Sequence, residues 1–423
     1  MNKLKINKFL ANRFLFYNNG RLKRCLSSQN FNSLEGYLHS KIKFNGPITV
    51  AEYMKEALGN PKWGYYTKKD VFGVHGDFIT APEISQIFGE LIGVWFLNEY
   101  YILKNIYKND MPNCVQLIEM GPGRGTLMSD MLRVWSKEKT APLNVFVYMI
   151  ETSPYLRKTQ MKNLCNLDQE PEILNEYKSK YSENIKIVWV TDITQLPRKE
   201  AAHFFVANEF FDALPVHKFQ KTPKGHREIL IDFDERDKKL KFVVSPMVTM
   251  NSKFLLNLYP GYEKFEHLEI SSESARYMDL VAKRLKEYNG SMLIIDYGHD
   301  GECKDTFRGF KNHKLVDVFT EPGECDLTVD VDFNFLKNIA KKSNVTCYGP
   351  VDQGNFLSQM QIGTRLQMLL RSIKSDEEKS KLVKDFKLLV NPDDMGKRFK
   401  LLSIRKFDFK QPPPGFYPEQ MLK

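Results

Sequence analysis

The sequence predicts an α/β fold built on a doubly wound, largely parallel sheet. From residue 112 onward, short apolar segments alternate with amphipathic helical segments, the pattern of a sheet covered by helices on both faces. A glycine-rich turn follows the first of these strands, where doubly wound folds bind their ligands. The predicted strands are 115–118, 145–150, 185–190, 204–207, 292–295 and 399–404. The predicted helices between and after them are 127–135, 155–164, 274–288, 333–341 and 359–372.

Other regions flank or interrupt this alternation. Residues 47–64 have helical periodicity, and Thr80 followed by Glu83 predicts a capping box that opens a core-facing helix. Residues 215–244 predict a strand meander. We therefore divide the chain as follows: 1–26, targeting segment; 27–111, helical segment covering the ligand site; 112–220, first part of the core; 221–289, β-rich insertion, a candidate substrate-binding region; 290–423, second part of the core and tail.

Composition excludes several classes of protein. The 423 residues are 42% apolar and 27% charged, which is globular composition and rules out wholesale disorder. No charge-free run approaches the ~18 residues of a membrane-spanning helix. The best apolar stretch, 84–103, carries Glu90 and Glu99. The six cysteines are scattered, without the close pairs of a structural zinc site, so we expect no metal and a reducing compartment.

The net charge of +10 is concentrated at one end of the chain. Seven Lys and Arg residues precede Glu35, the first acidic residue, so about +3 remains for the rest. A basic, acid-free segment interleaved with apolar residues is typical of a mitochondrial transit peptide, here 1–26, and predicts the matrix as destination. The alternative is a disordered basic arm. No recognisable nucleic-acid-binding module is present, which argues against a nucleic-acid partner.

The sharpest motif lies at 117–127, Leu-Ile-Glu-Met-Gly-Pro-Gly-Arg-Gly-Thr-Leu. A buried strand runs into Glu119, then into Gly121, Gly123 and Gly125, and then into a helix. The dinucleotide pattern G-x-G-x-x-G fails, because Thr126 stands where its third glycine belongs. The form E-x-G-x-G-x-G is instead the S-adenosylmethionine loop of class I methyltransferases. The sequence therefore predicts that cofactor and that Rossmann-like fold.

The next two strands also end in acidic residues. Glu151 follows the second strand, where a carboxylate holds ribose hydroxyls in doubly wound folds. Asp192 follows the third strand and suits the adenine edge, although a helix cap is an equal alternative.

The fourth strand ends in Asn208-Glu209-Phe210-Phe211-Asp212. Two carboxylates beside two aromatic rings suit a cationic acceptor, through charge-assisted hydrogen bonds and ring faces. The alternative is that the two Phe side chains belong to the core and that Asp212 caps a turn.

Several motifs, taken in order, resemble those of the MidA family of mitochondrial protein-arginine methyltransferases, which are complex I assembly factors. The motifs lie at 76–85, 119–127, 208–215, 295–298, 321–328 and 395–400. The string Gly-Asp-Phe-Ile-Thr-Ala-Pro-Glu at 76–83 is the most specific, and the one departure noticed is Met120, where Leu is usual. The resemblance implies symmetric dimethylation of arginine, with the large hydrophilic complex I subunit flanking the quinone site as substrate.

These residues predict a mechanism. We expect Glu209 to be the main ligand of the guanidinium, Asp77 or Asp212 to be the second, and Asn208 to hold the neutral nitrogen or the cofactor edge. The Gly76-Asp77 pair could instead simply form a turn. Two alternatives stay open: a methyltransferase for a glutamine amide or small molecule, and a non-catalytic cofactor-binding assembly chaperone. The sequence also allows a homodimer.

Overall fold

The computed structural model describes residues 31–68, 80–108, 112, 114–138, 142, 144–406 and 411–418. The predicted transit peptide and Asp77 lie outside the described residues. Among those described, no helix has the length and apolar character needed to cross a membrane.

The core of the molecule is a nine-stranded mixed sheet. Eight strands follow the order β16-β17-β11-β6-β2-β3-β5-β4, and β15 pairs with β11. The strands β5, β3, β2, β6 and β11 are mutually parallel, whereas β4, β17 and β16 each run antiparallel to the neighbour they pair with. The bounds are β2 Cys114–Met120, β3 Asn144–Ile150, β4 Glu176–Lys178, β5 Ile185–Val190, β6 Ala202–Asn208, β11 Gly290–His299, β15 Val331–Asp332, β16 Thr346–Asp352 and β17 Phe399–Arg405.

Helices cover both faces of this sheet, because strands buried on both sides need two apolar layers. Two groups of helices form these layers, one on each face of the sheet, and each group shares an apolar cluster with the strands. The first group is α5 Gln86–Tyr107, α6 Thr126–Trp135, α7 Pro154–Cys165, α11 Gln353–Gln359, α12 Ile362–Ser372 and α13 Asp376–Val390. The second group is α9 Ser272–Tyr288 and α10 Phe333–Lys341.

A second sheet stands beside the core, in the order β1-β8-β7-β10, with β9 paired to β8. Its first strand comes from the N-terminal segment, so that segment and the insertion share one sheet and one apolar cluster. A smaller sheet has the order β13-β12-β14. The bounds are α1 Leu34–Asn45, β1 Ile48–Thr49, α2 Val50–Gly59, α3 Tyr65–Lys68, α4 Ala81–Ile84, β7 His217–Gln220, β8 Arg227–Asp234, β9 Lys239–Val244, α8 Met250–Leu255, β10 His267–Ile270, β12 Arg308–Lys311, β13 Lys314–Val316 and β14 Asp326–Thr328.

Two predicted helices differ from the structure. The helix expected over 359–372 is interrupted, because Gln361 adopts the left-handed region with φ 63° and separates α11 from α12. The helix expected from Thr80 is divided by Ser85, whose hydroxyl accepts from the Ile87 amide and caps α5. Thr80 makes no side-chain capping bond, so the predicted capping box is wrong. The box does not form because the Glu83 side chain accepts a hydrogen bond from the Thr126 hydroxyl instead.

Candidate active site

A cavity of about 1950 Å³ opens at the carboxyl ends of the parallel strands. The chain order of the strands reverses between β2 and β6, so ligands are expected at the ends of these two strands. The loops that follow β2, β3 and β6 line the cavity, together with residues of α1 to α4 and of β14. The cavity therefore brings together parts of the chain that are far apart in sequence.

The glycine loop adopts backbone conformations that favour glycine. Gly121, Gly123 and Gly125 have φ values of 64°, 52° and 79°, all in the left-handed region. A Cβ on Gly121 would lie 2.7 Å from a ring carbon of Phe210, so the loop and the end of β6 approach too closely for any side chain there. Gly125 is the N-cap of α6. The predicted turn is thus a tight backbone cradle.

The N-terminal segment contacts this loop through Glu83 of α4. The Thr126 hydroxyl donates to Glu83 Oε1, and Arg124 Nη1 donates to Glu83 Oε2 at 3.4 Å. Glu83 therefore ties α4 to the start of α6 instead of closing a capping box on Thr80. The sequence contains no signal for this contact, because 43 residues separate Glu83 from Thr126.

Two buried carboxyl groups flank the loop. Glu119 lies at 2% exposure, and its Oε2 has no hydrogen-bond partner within the described part of the chain. Burial raises the pKa of Glu119 well above its usual range, and the nearby Glu151 adds to this effect. Burial also raises the pKa of Glu151 to about 7, although the Ser153 amide donates to its Oε1 at 2.8 Å. Both side chains line the cavity.

Gln160 joins the glycine loop to Glu151 at the end of β3, and the sequence analysis did not predict it as a site residue. Its Nε2 donates to the Gly123 carbonyl at 2.7 Å and to Glu151 Oε2 at 3.2 Å, and its Oε1 accepts from the Trp189 indole. The side chain is fully buried. The sequence signal that could have indicated it is a glutamine on the apolar side of α7, the helix that follows β3.

Asp192 is the N-cap of a short 3-10 helix, Ile193–Gln195, as the alternative prediction for this residue had it. It also lines the cavity. Its Oδ1 accepts from the Thr194 amide at 2.9 Å, and its Oδ2 accepts from Arg276 Nη2 at 2.6 Å. Against the cost of partial burial, these bonds lower the pKa of Asp192 to about 2. The ion pair with α9 therefore fixes the carboxylate at the edge of the cavity.

Glu209 lies in the left-handed region, at φ 50°, directly after β6. Its Oε1 receives two long hydrogen bonds, from the Asn208 amide nitrogen at 3.3 Å and from the Ala81 backbone at 3.4 Å. Burial raises the pKa of Glu209 to about 8, and the charge of Asp212 contributes. Asn208 Oδ1 is buried with no partner among the described residues.

Asp212 faces the same space. Its Oδ2 accepts from the Tyr297 hydroxyl at 2.6 Å, while its Oδ1 is buried without a partner among the described residues. Burial raises the pKa of Asp212 to about 6. Behind it lies Asp296, fully buried, which accepts from the backbone amides of Phe211 and Tyr297. Asp296 and Tyr297 lie in the motif at 295–298, and the sequence alone predicted no role for either residue.

Three comparisons with known proteins bear on this site. The family model described as an S-adenosyl-L-methionine-dependent methyltransferase matches residues 91–351. The chain belongs to this methyltransferase family. A relative in Danio rerio, "Protein arginine methyltransferase NDUFAF7, mitochondrial", is 43% identical over 389 residues, covering 90% of this chain and 89% of the relative. The Homo sapiens protein of that name is 40% identical over 375 residues, covering 87% and 82%.

Solved structures agree on the fold. A Burkholderia thailandensis protein bound to S-adenosyl-homocysteine matches with a TM-score of 0.68 at 20% identity, covering 91% of this chain and 92% of that one. A native structure from the same organism matches at 0.70 and 22% identity, covering 90% and 94%. The predicted fold class, MidA resemblance and cofactor are thus confirmed. The residue roles within the site stay predictions.

The residues around the loop fit S-adenosylmethionine. Glu119 Oε2 is a buried acceptor with no partner among the described residues, and the close approach of Phe210 to Gly121 requires a loop without a side chain at that position. Acidic groups suit a cofactor with a sulfonium and an ammonium group, because a nearby positive charge favours the charged form of a carboxyl group. Glu151 would hold the ribose hydroxyls, and the loop amides before α6 would hold the amino-acid end.

Proposed function

We propose that this chain is a mitochondrial protein arginine N-methyltransferase that uses S-adenosylmethionine. The observation that carries the proposal is the acidic, aromatic-walled end of the cavity, where Glu209 and Asp212 stand beside the cofactor loop with Asp212 Oδ1 unpartnered among the described residues. A buried acceptor without a donor costs free energy, and a guanidinium supplies five N–H donors. The names of the curated relatives support the same substrate class.

The chain's own residues would orient the acceptor and receive its proton. When bound, the cofactor supplies an electrophilic methyl group. A guanidinium is always protonated near neutral pH, so one proton must leave as the nitrogen reacts. Glu209 Oε is suited to take it, because a pKa of about 8 lies near the operating pH. Asn208 Oδ1 and Asp212 Oδ1 would accept the remaining N–H groups.

The finer assignments follow the family resemblance. We infer that the protein works in the mitochondrial matrix, dimethylates arginine symmetrically, and modifies the large hydrophilic complex I subunit flanking the quinone site in support of complex I assembly. The mitochondrial names of the relatives support the compartment, and the assembly role agrees with the same names. A homodimer stays a prediction that sedimentation of the purified protein would test.

The test is methyl transfer to arginine peptides from that subunit, with mass spectrometry of the product. Glu209→Gln should lower kcat by about 100-fold or more, because it removes a general base, while cofactor affinity stays within about threefold. Glu377→Gln, on an exposed face of α13, is the matched control and should keep full activity. Methylation of a glutamine amide, or full activity of Glu209→Gln, would contradict the proposal.

A further inference from the structure

We propose that Asp326 is a third acidic ligand of the acceptor pocket and that Tyr66 positions it. This inference rests on the proposed function, since it concerns how the same pocket recognises a guanidinium. Asp326 lies within the family motif at 321–328, and Tyr66 lies in none of the motifs. Neither was among the predicted site residues.

Asp326 faces the cavity from a wall of its own. It begins β14 in the small three-stranded sheet, whereas Glu209 and Asp212 follow β6 of the central sheet. All three line the same cavity. Asp326 is only 4% exposed, and the Tyr66 hydroxyl donates to its Oδ1 at 2.8 Å. The carboxyl group is therefore held at a fixed place by a residue 260 positions away.

The three acidic groups line one cavity, and their electrostatic interactions agree with this arrangement. The charge of Asp326 contributes to the raised pKa of Glu209, after burial and Asp212. Burial raises the pKa of Tyr66 well above its usual range, and both Asp326 and Asp212 add to that effect. Such couplings weaken as the distance between the charges grows, and they are strongest between poorly solvated groups. The Val329 amide, directly after β14, donates to the Asp212 carbonyl at 3.1 Å, so the strand that begins with Asp326 ends against the backbone of Asp212.

The pocket calls for a cation. Asp212 is 6% exposed, and its Oδ1 has no hydrogen-bond partner within the described ranges. The neighbouring Arg308 donates to Asp330 at 2.5 Å and to the Thr306 carbonyl, and its charge also acts on Asp212, so one cation near the pocket faces the three carboxyl groups of Glu209, Asp212 and Asp326. A planar guanidinium presents donors along several edges, so acceptors on two different walls can engage it at once. Asp326 supplies the second wall.

Tyr66 also contacts the cofactor end of the cavity. Its backbone carbonyl accepts from the Ser153 hydroxyl at 3.0 Å, and the Ser153 amide donates to Glu151. One short helix, α3, therefore carries a contact to each half of the site. Tyr66 is a positioning residue for Asp326, and replacing its hydroxyl should disturb acceptor binding without removing the backbone contact to Ser153.

The test measures peptide KM, kcat and the Kd of S-adenosylhomocysteine for Asp326→Asn and Tyr66→Phe. Loss of a charged hydrogen bond in a buried site predicts a rise in peptide KM of about tenfold for Asp326→Asn and about threefold or more for Tyr66→Phe. The Kd of S-adenosylhomocysteine should stay within about twofold in both. The double variant should be no worse than Asp326→Asn alone, because the tyrosine acts through the carboxylate.

Controls separate this inference from the proposed function. Asp168→Asn, at a largely exposed carboxylate, should leave every parameter unchanged. If the wild type methylates arginine but Asp326→Asn keeps the wild-type KM, or if the two substitutions add, this inference is overturned while the proposed function stands. If the wild type does not methylate arginine, the proposed function has failed. Should Asp326→Asn not fold, Tyr66→Phe, which removes only the hydroxyl group, decides: an unchanged peptide KM would overturn the inference.

Discussion

Glu209→Gln should stabilise the protein in a pH-dependent way. Burial, with the charge of Asp212, raises the pKa of Glu209 from 4.5 to about 8 in the folded state. Between these two values the folded state holds a proton that the unfolded state has lost, so the free energy of unfolding falls as pH rises. At pH 7, which is about 2.5 units above the pKa of the unfolded state, this proton linkage lowers the free energy of unfolding by about 3 kcal/mol. At pH 5 it is below about 1 kcal/mol. A glutamine side chain does not titrate and escapes this loss.

Thermal unfolding at pH 5 and pH 8 checks the argument. We expect the Tm of Glu209→Gln to exceed that of the wild type by roughly 3–5 °C more at pH 8 than at pH 5. Glu377→Gln, on the exposed surface of α13, should show the same difference from the wild type at both pH values. An equal shift at the two pH values, or a variant less stable than the wild type at pH 8, would refute the reasoning.

Two further changes test the loop and the frame of the fold. Gly121→Ala should weaken cofactor binding by about tenfold or more, since its Cβ would lie 2.7 Å from the Phe210 ring at a φ of 64°, while Gly363→Ala, with open space around it, should not change Kd by calorimetry. Arg405→Met should lower stability by about 3–5 kcal/mol, because it leaves the buried Glu99 without its partner. An unchanged Tm would show that this pair is dispensable.

The sequence predicts the parts of the site that depend on local backbone chemistry. Glycines at alternating positions after a buried strand specify a tight turn, and the structure places all three in the left-handed region. Acidic residues directly after strands must lie at the carboxyl edge of the sheet, so Glu151 and Glu209 reach the cavity by position alone. These predictions needed no knowledge of how distant segments pack.

Contacts between distant segments could not be predicted in this way. Glu83 matches the capping-box pattern with Thr80, yet its side chain binds Thr126 once α4 packs against the start of α6. Local spacing favours the first arrangement, and tertiary packing selects the second. Tyr66 and Asp326 likewise meet only because the N-terminal segment shares an apolar cluster with β14. Periodicity and spacing carry no information about such a meeting.

The N-terminal segment therefore contributes to the chemistry of the site as well as to its walls. Glu83 holds the cofactor loop, the Tyr66 carbonyl holds Ser153 beside Glu151, and the Tyr66 hydroxyl holds Asp326. The cofactor end and the acceptor end of one cavity are thus braced by the same part of the chain. Because these contacts depend on one packing arrangement, a change that loosens the N-terminal segment should weaken cofactor binding and acceptor binding together. Changes within β6 should instead affect one kind of binding without the other.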